Sequence, residues 1–267
     1  MRKEKLKIAI ALGSGGAKGF AHIGALQVLE ENKIPISCIT GCSMGAIIGG
    51  AYAAGISLKA MIAYAKKLKM FNIIDIPLIS KYGFLRGAKA ENALIKFFTK
   101  NKASTTFENC KIPFACGATD ILEGKTAYLK EGSLIEAIRA SFSITGVFVP
   151  VEKDGMLLMD GGPLCRVPVR LARELGADKV VAIDCVGRTK TISAGDIKSY
   201  GDTLERIMYV MDYAIGKEEI NEADIIIEPS QDDVSGIKLD GLLDSINAGR
   251  EAMKKAIPQI KEWLKNK

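Results

Sequence analysis

Three groups of residues in this chain have the types and spacing that acyl-transfer chemistry requires. The first is Gly41-Cys42-Ser43-Met44-Gly45, a serine between two glycines. It follows a short β-branched run, 36–40, and precedes a run of small apolar residues, 46–54. A serine at a sharp strand-to-helix turn is called a nucleophile elbow, because the turn lifts the hydroxyl above the sheet edge. The alternative interpretation is an ordinary turn whose small residues permit close packing.

The second group supplies a base, without which a serine hydroxyl is a poor nucleophile. The usual base is a histidine that follows the serine, but the only histidine, His22, precedes it. We interpret His22 as a packed or helix-capping side chain. The base must then be a carboxylate, and Asp160 is the best candidate, because it ends an apolar run and precedes two glycines. Asp184 is the next candidate and Asp120 is weaker, while an ordinary Asp-Gly turn is the non-catalytic interpretation of residue 160.

The third group is the glycine-rich segment Gly15-Gly16-Ala17-Lys18-Gly19, which follows the predicted first strand, 6–12. Consecutive N–H groups at a helix N-terminus hold anions, and in acyl transfer that anion is the tetrahedral oxyanion. A dinucleotide-binding turn is the competing interpretation. It is disfavoured because Lys18 stands where the third glycine belongs and no strand ending in an acid follows at the required distance. The Walker pattern also fails, since a glycine follows the lysine.

Strand and helix patterns alternate along the chain, which predicts an α/β fold with a mainly parallel central sheet. Two helices are expected at the C-terminus, with Pro258 opening the last one. We interpret residues 71–85 as a packed loop, with a lid or acyl-chain wall as the functional alternative. No composition break suggests a second domain, so we expect one domain over 1–267, with its motifs within about 7–184. Further predicted strands are 112–119, 126–129, 147–151, 156–159, 179–185 and 225–227, and predicted helices are 20–31, 58–70, 89–98, 134–142, 169–175 and 203–219.

Composition disfavours several other functions. The net charge is +6, and no Arg/Lys run is interleaved with aromatics, which gives little support to nucleic-acid binding. The charge allows a weak attraction to anionic membrane surfaces. The six cysteines form no C-x-x-C pair and there is one histidine, so neither a metal nor another cofactor is expected. We find no N-terminal signal and no apolar run long enough for a bilayer, so we expect a soluble, cytoplasmic protein.

Taken in series, the glycine-rich segment, the following Phe20-Ala21-His22-Ile23-Gly24, the serine pentapeptide and Asp160-Gly161-Gly162 resemble the patatin-like phospholipase family. The resemblance implies a three-layer α/β/α fold and a hydrolase that acts on acyl esters through a Ser–Asp dyad and an acyl-enzyme. It assigns Ser43 as nucleophile and Asp160 as base. The glycines of the elbow would be Gly41 and Gly45, and the oxyanion hole would be formed by Gly15, Gly16 and Lys18, the last standing where the family has Arg or Lys.

Two places depart from the family pattern. Cys165 and Arg166 stand where relatives often have Asn-Pro, which leaves the shape of that loop unpredicted but not the dyad. Ser14 stands at a position that is often glycine. The implied partner is a lipid or acyl-ester substrate, with transient contact to a membrane surface and no nucleic acid. A non-hydrolytic lipid-binding or regulatory protein of the same fold is the alternative, and a thioesterase or acyltransferase would differ only in pocket and acceptor.

Overall fold

A computed structural model describes residues 5–68, 75, 85–187, 191–231 and 241–265. The strands of this part of the chain form one mixed sheet. They are β1 (Ile8–Leu12), β2 (Cys38–Cys42), β3 (Phe114–Asp120), β4 (Lys125–Leu129), β5 (Val151–Lys153), β6 (Met156–Asp160), β7 (Lys179–Ile183) and β8 (Ile225–Ile227). Their order across the sheet is β5-β6-β3-β2-β1-β7-β8, and β4 pairs with β3.

Helices cover both faces of this sheet. They are α1 (Ala21–Glu31), α2 (Met44–Ala53), α3 (Leu58–Ala65), α4 (Ala88–Lys100), α5 (Leu134–Ser141), α6 (Gly162–Cys165), α7 (Val169–Glu174), α8 (Tyr200–Ile220) and α9 (Leu242–Lys265), with short 3₁₀ helices at Gly16–Phe20 and Ala194–Asp196. In the described residues, no helix combines the length and the apolar character that crossing a bilayer demands.

The alternation of side chains along β1 shows why the fold has three layers. Ile8, Ile10 and Leu12 join the core beneath α1, α2 and α9. Ala9 and Ala11 point to the other face and join the core beneath α7. A strand buried on both faces is apolar throughout rather than alternating, which is the pattern of this run in the sequence. The three-layer α/β/α fold is therefore confirmed.

The two halves of the sheet differ in direction, and this difference builds one edge. The pairs β8–β7, β7–β1, β1–β2 and β2–β3 are parallel, whereas β3 runs antiparallel to β6. Cys42, the last residue of β2, lies opposite Gly117, and the next residue of β3, Ala118, lies opposite Asp160. The end of β6 therefore meets the end of β2, so that the residues following each strand are neighbours.

The C-terminus corrects one prediction. Pro258 does not open a separate helix but lies inside the continuous helix α9. Proline lacks an N–H and costs a helix one backbone hydrogen bond. Here the ring is on the exposed side, while Met253, Ile257 and Ile260 on the same helix are buried in the core. Burial of this apolar face outweighs the lost bond.

The predicted loop or lid lies outside the described residues, apart from residues 75 and 85. Just before it, α3 ends at Ala65 rather than at residue 70. Other element bounds differ from the predicted ones by a few residues, as helix and strand ends commonly do.

Candidate active site

Ser43 lies at the turn between β2 and α2 in a strained backbone conformation. Its φ of 53° and ψ of −118° are rare for a residue with a side chain. A Cβ on Gly41 would lie 2.5 Å from the carbonyl oxygen of Gly45, and a Cβ on Gly45 would overlap the carbonyl oxygen of Leu12. Both glycines of the predicted elbow are therefore required by the close approach of the backbone.

A buried serine from another element holds this turn in place. The N–H of Ser43 donates to Oγ of Ser141 at 3.0 Å, and the Ser141 hydroxyl donates to the carbonyl oxygen of Gly117 at 2.7 Å. The strained residue is thus tied through the last residue of α5 to the neighbouring strand β3. Nothing in the sequence pointed to Ser141, which lies 98 positions from its partner and belongs to no motif.

The structure brings Asp160 to Ser43. The Ser43 hydroxyl donates to Oδ2 of Asp160 at 2.7 Å, and the N–H of Gly162 donates to Oδ1 at 2.8 Å. The main chain is held as well, because Thr119 donates its hydroxyl to the carbonyl oxygen of Asp160 at 2.8 Å. Ser43 is 8% exposed and Asp160 6%. The two side chains meet in a nearly dry environment, with each carboxylate oxygen bound by an uncharged donor.

This environment raises the proton affinity of the carboxylate. Burial raises the pKa of Asp160 to about 7, although the hydrogen bonds from Ser43 and Gly162 oppose the change, and the charge of Asp212 raises it further. A carboxylate with a pKa near neutrality accepts a proton more readily than an ordinary aspartate and is still partly ionised near pH 7.

Asp212, on α8, is the second carboxylate of this neighbourhood. A Cβ on Gly162 would lie 3.1 Å from Oδ1 of Asp160 and 3.2 Å from Oδ2 of Asp212, so the two carboxylates flank one point above the glycine. Burial raises the pKa of Asp212 to about 6, against the nearby positive charge of Arg166. Its Oδ1 is buried without a hydrogen-bond partner in the described part of the chain. Asp212 is a site residue that no sequence pattern indicated.

The glycine-rich loop packs directly on the elbow. A Cβ on Gly19 would lie 2.6 Å from Cβ of Met44, the residue after Ser43. Gly15 and Gly16 both have positive φ, 148° and 52°. Across the described residues, no acceptor is assigned to the N–H groups of Gly15, Gly16 and Met44, each of which lies at or before the start of a helix. These three N–H groups are therefore available to an anion beside the serine.

Lys18 occupies a different position in this loop from that of the two glycines. Its N–H donates to the carbonyl oxygen of Gly15 at 3.1 Å, so only its ammonium group is left to act on an anion. The N–H of Ser14 donates to the carbonyl oxygen of Arg166 at 2.9 Å. Ser14 and Arg166 both stand at positions that depart from the family pattern, and their backbones are thus hydrogen-bonded to each other.

His22 is buried and supports the loop from below. Its Nε2 lies 2.7 Å from the carbonyl oxygen of Gly13, which can only accept, so Nε2 carries the proton. Burial lowers the pKa of His22 to about 4, despite this hydrogen bond. Sγ of Cys185 lies about equally far from the two ring nitrogens, 3.6 Å from Nδ1 and 3.5 Å from Nε2. The imidazole therefore packs, as the sequence predicted, and its single N–H is committed to the loop.

The other two carboxylates considered as bases are engaged elsewhere. Oδ2 of Asp184 lies 2.5 Å from Arg166, in an ion pair whose side chains are both 1% exposed. Oδ1 of Asp120 accepts from the N–H groups of Leu122 and Leu157, at 3.1 and 3.3 Å. Of the three candidates, Asp160 is the one that the structure brings to Ser43.

Within the described ranges, no group of three or more His, Cys, Asp and Glu side chains is placed to hold a metal ion. The six cysteines are free thiols.

Comparison with known proteins identifies the family of this chain. The family model of the patatin-like phospholipases matches residues 10–173, which include the glycine-rich loop, the serine elbow and Asp160. The chain therefore belongs to the patatin-like phospholipase family.

Relatives with curated names cover much of the chain. An uncharacterized NTE family protein of Mycobacterium tuberculosis is 41% identical over 183 residues, 68% of this chain and 49% of that protein. The human patatin-like phospholipase domain-containing protein 6 is 33% identical over 204 residues, 74% of this chain and 14% of that protein. Lysophospholipase nte1 of Emericella nidulans is 32% identical over 209 residues, 76% of this chain and 13% of that protein. The chain thus spans about half the length of the mycobacterial relative and less of the others.

A solved structure shares the fold. VipD from Legionella pneumophila superposes with a TM-score of 0.59 at 12% identity, covering 96% of this chain and 67% of VipD. At this identity the likeness concerns the fold alone.

Proposed function

We propose that the protein hydrolyses acyl esters of lipids, in the manner of a lysophospholipase or carboxylesterase, with Ser43 as nucleophile and Asp160 as base. The observation that carries the proposal is the 2.7 Å hydrogen bond from the strained, buried hydroxyl of Ser43 to the carboxylate of Asp160. Membership in the patatin-like phospholipase family and relatives named lysophospholipase support the substrate class.

The first half of the reaction forms an acyl-enzyme. Oγ of Ser43 attacks the ester carbonyl carbon while its proton passes to Oδ2 of Asp160. The carbonyl oxygen becomes an oxyanion, which accepts hydrogen bonds from the N–H groups of Gly15, Gly16 and Met44. When the tetrahedral intermediate collapses, the bond to the alcohol breaks and the leaving oxygen takes the proton from Asp160. The acyl group stays on Ser43.

The second half releases the acid. Asp160 accepts a proton from a water molecule as the water attacks the acyl-enzyme carbonyl, and a second oxyanion occupies the same site. Collapse breaks the bond to Ser43 Oγ, which recovers its proton from Asp160. A carboxylate does here what a histidine does in most serine hydrolases, and its raised proton affinity suits it to that role.

The positive electrostatic environment of the oxyanion comes from backbone dipoles. Ser43 precedes α2, and the glycine-rich loop leads into a 3₁₀ helix whose Gly19 packs on Met44, so both helical N-termini lie near the serine. The ammonium group of Lys18 would add charge to the same region.

The test is the Ser43→Ala variant, assayed with a short-chain p-nitrophenyl ester. We expect turnover to fall by roughly 10⁴- to 10⁶-fold, as removal of a nucleophile does in other serine hydrolases. Mass spectrometry after treatment with a fluorophosphonate should find the adduct on Ser43. The matched control is Ser245→Ala, because Ser245 is also buried and its hydroxyl has no hydrogen-bond partner among the described residues.

Full activity of the Ser43→Ala variant would overturn the proposal. A wild-type protein that neither hydrolyses the ester nor takes up the fluorophosphonate would point instead to the non-hydrolytic lipid-binding alternative.

A further inference from the structure

The helix α8 presents an apolar face to solvent, which is the reverse of an ordinary surface helix. We call this surface the α8 apolar face. It consists of large side chains that recur every three or four residues and are each 38–79% exposed: Tyr200, Leu204, Ile207, Val210, Met211 and Ile215. Among the described side chains of residues 200–216, every exposed one is uncharged. Among the described side chains of the helix, the exposed charged ones are Lys217 and Glu218, in its last turn.

The opposite face of α8 borders the candidate active site. It carries Asp212, whose carboxylate shares the space above Gly162 with Asp160. One turn further on, a Cβ on Gly216 would lie 3.3 Å from Cβ of Arg166. The less exposed side of the helix thus covers the site, and the α8 apolar face is left outside.

A second exposed apolar segment touches Asp160 from another direction. The N–H of Asp160 donates to the carbonyl oxygen of Ser143 at 2.9 Å. The residues that follow Ser143 include Ile144 and Val147, each 39% exposed. Exposed apolar side chains therefore stand on two separate elements next to the candidate base, which favours a partner that meets the site itself.

The size of the α8 apolar face argues against a second copy of the chain as that partner. Six side chains of about half exposure offer on the order of 500 Å², which is the size of patches that mark interaction sites. Each partner of a stable dimer buries about 800 Å².

The aromatic side chain at the start of the face and the overall charge of the chain favour a lipid surface. Exposed lysines stand at both ends of the face, Lys198 near the exposed Asp196 and Lys217 beside the exposed Glu218, and Tyr200 opens the face. Lysine and tyrosine place an apolar stem in the interface and a polar end in water. The net charge of +6 adds a general attraction to anionic headgroups.

We propose that the α8 apolar face docks on an anionic lipid surface, with its apolar side chains inserted at the level of the headgroups. The helix then lies between the bilayer and the residues around Asp160. The proposal rests on the proposed function, because the lipid surface would supply the acyl-ester substrate. The binding itself needs no turnover.

The experiment measures co-sedimentation of the full chain with vesicles made of equal parts phosphatidylcholine and phosphatidylglycerol, and with vesicles of phosphatidylcholine alone. The background is the Ser43→Ala variant, so that the lipid stays intact. We expect binding that is stronger to the anionic vesicles, and a loss of affinity of roughly tenfold or more for Met211→Glu and for Ile207→Glu.

The matched control is Leu243→Glu on α9, because Leu243 and Met211 are both 51% exposed and α9 lies in the other helical layer. We expect this variant to bind like its parent. Thermal melting of each variant checks that the fold is kept, and a variant that melts early is replaced by Leu204→Gln, which removes the apolar group without adding charge.

Three results would overturn the proposal: no vesicle binding by the parent, equal losses for Met211→Glu and Leu243→Glu, or a parent dimer in light scattering that Met211→Glu dissociates. Ester hydrolysis by the same Ser43→Ala parent would instead refute the proposed function and leave the vesicle result standing.

Discussion

Asp160 and Asp184 occupy similar places in the sequence and opposite situations in the structure. Each ends or follows an apolar strand, β6 or β7, and each is buried. The carboxylate of Asp184 is paired with the guanidinium of Arg166 at 2.5 Å. The carboxylate of Asp160 is bound by a hydroxyl and an amide, and its charged neighbour is another carboxylate, Asp212.

The groups that contact a buried carboxylate, rather than its place at the end of a strand, decide what the carboxylate does. A cation at contact distance makes a buried carboxylate one half of an ion pair that belongs to the framework. Neutral donors and a neighbouring negative charge leave the acid with a raised proton affinity, which a base requires. Asp184 is thus a carboxylate held in an ion pair, and Asp160 is one held by neutral donors.

The largest expected effect is on turnover. Asp160→Asn keeps the size of the side chain but removes the base, so kcat for a short-chain ester should fall by roughly 10²- to 10⁴-fold. The fold should hold: at pH 8 the free energy of unfolding should not decrease, because a buried acid whose pKa is raised costs stability once it is ionised. Near-normal turnover in this variant would remove Asp160 from the reaction.

The next effect concerns stability and should fall on the other carboxylate. Asp184→Asn leaves the buried guanidinium of Arg166 without its anion, which should lower the free energy of unfolding by about 3–5 kcal/mol in urea titrations. The paired variant Arg166→Met with Asp184→Asn removes both charges and should recover much of this loss. If Asp184→Asn proved harmless to stability, the contrast between the two carboxylates would be wrong.

The pH dependence of kcat/KM should report the titration of Asp160. Burial holds its pKa at about 7, and only the ionised form accepts the proton from Ser43. Activity should therefore rise with pH, half-maximal near pH 7, and fall roughly tenfold per unit below it. A half-maximal pH near the ordinary aspartate value of about 4 would contradict the environment described for Asp160.

Much of the site could be predicted because its chemistry depends on short local patterns. Gly41 and Gly45 are needed where backbone segments nearly touch, and this need is visible as a spacing. Because the one histidine precedes the serine, the sequence indicates a carboxylate as the base. The alternation of apolar strands and amphipathic helices identified the layers, since each pattern reflects burial on one or two faces.

What could not be predicted depends on contacts between distant parts of the chain. Ser141 supports Ser43 across 98 positions, and Asp212 reaches the site from the less exposed side of a helix whose exposed side is apolar. A pattern in which apolar residues face solvent is indistinguishable in sequence from one in which they face a core. The prediction that Pro258 begins a new helix is wrong for a related reason, since burial of the neighbouring side chains keeps α9 continuous.

The smallest expected effect separates the two causes of the raised proton affinity of Asp160. Asp212→Asn removes a nearby negative charge, so the pKa of Asp160 should fall and the rising limb of the pH profile should move to lower pH. The plateau should fall less than about tenfold, because a weaker base still accepts the proton. Asp202→Asn is the control, since that carboxylate lies roughly three turns earlier on α8. A profile that does not move would mean that burial alone sets the pKa, and that Asp212 serves only to shape the space above Gly162.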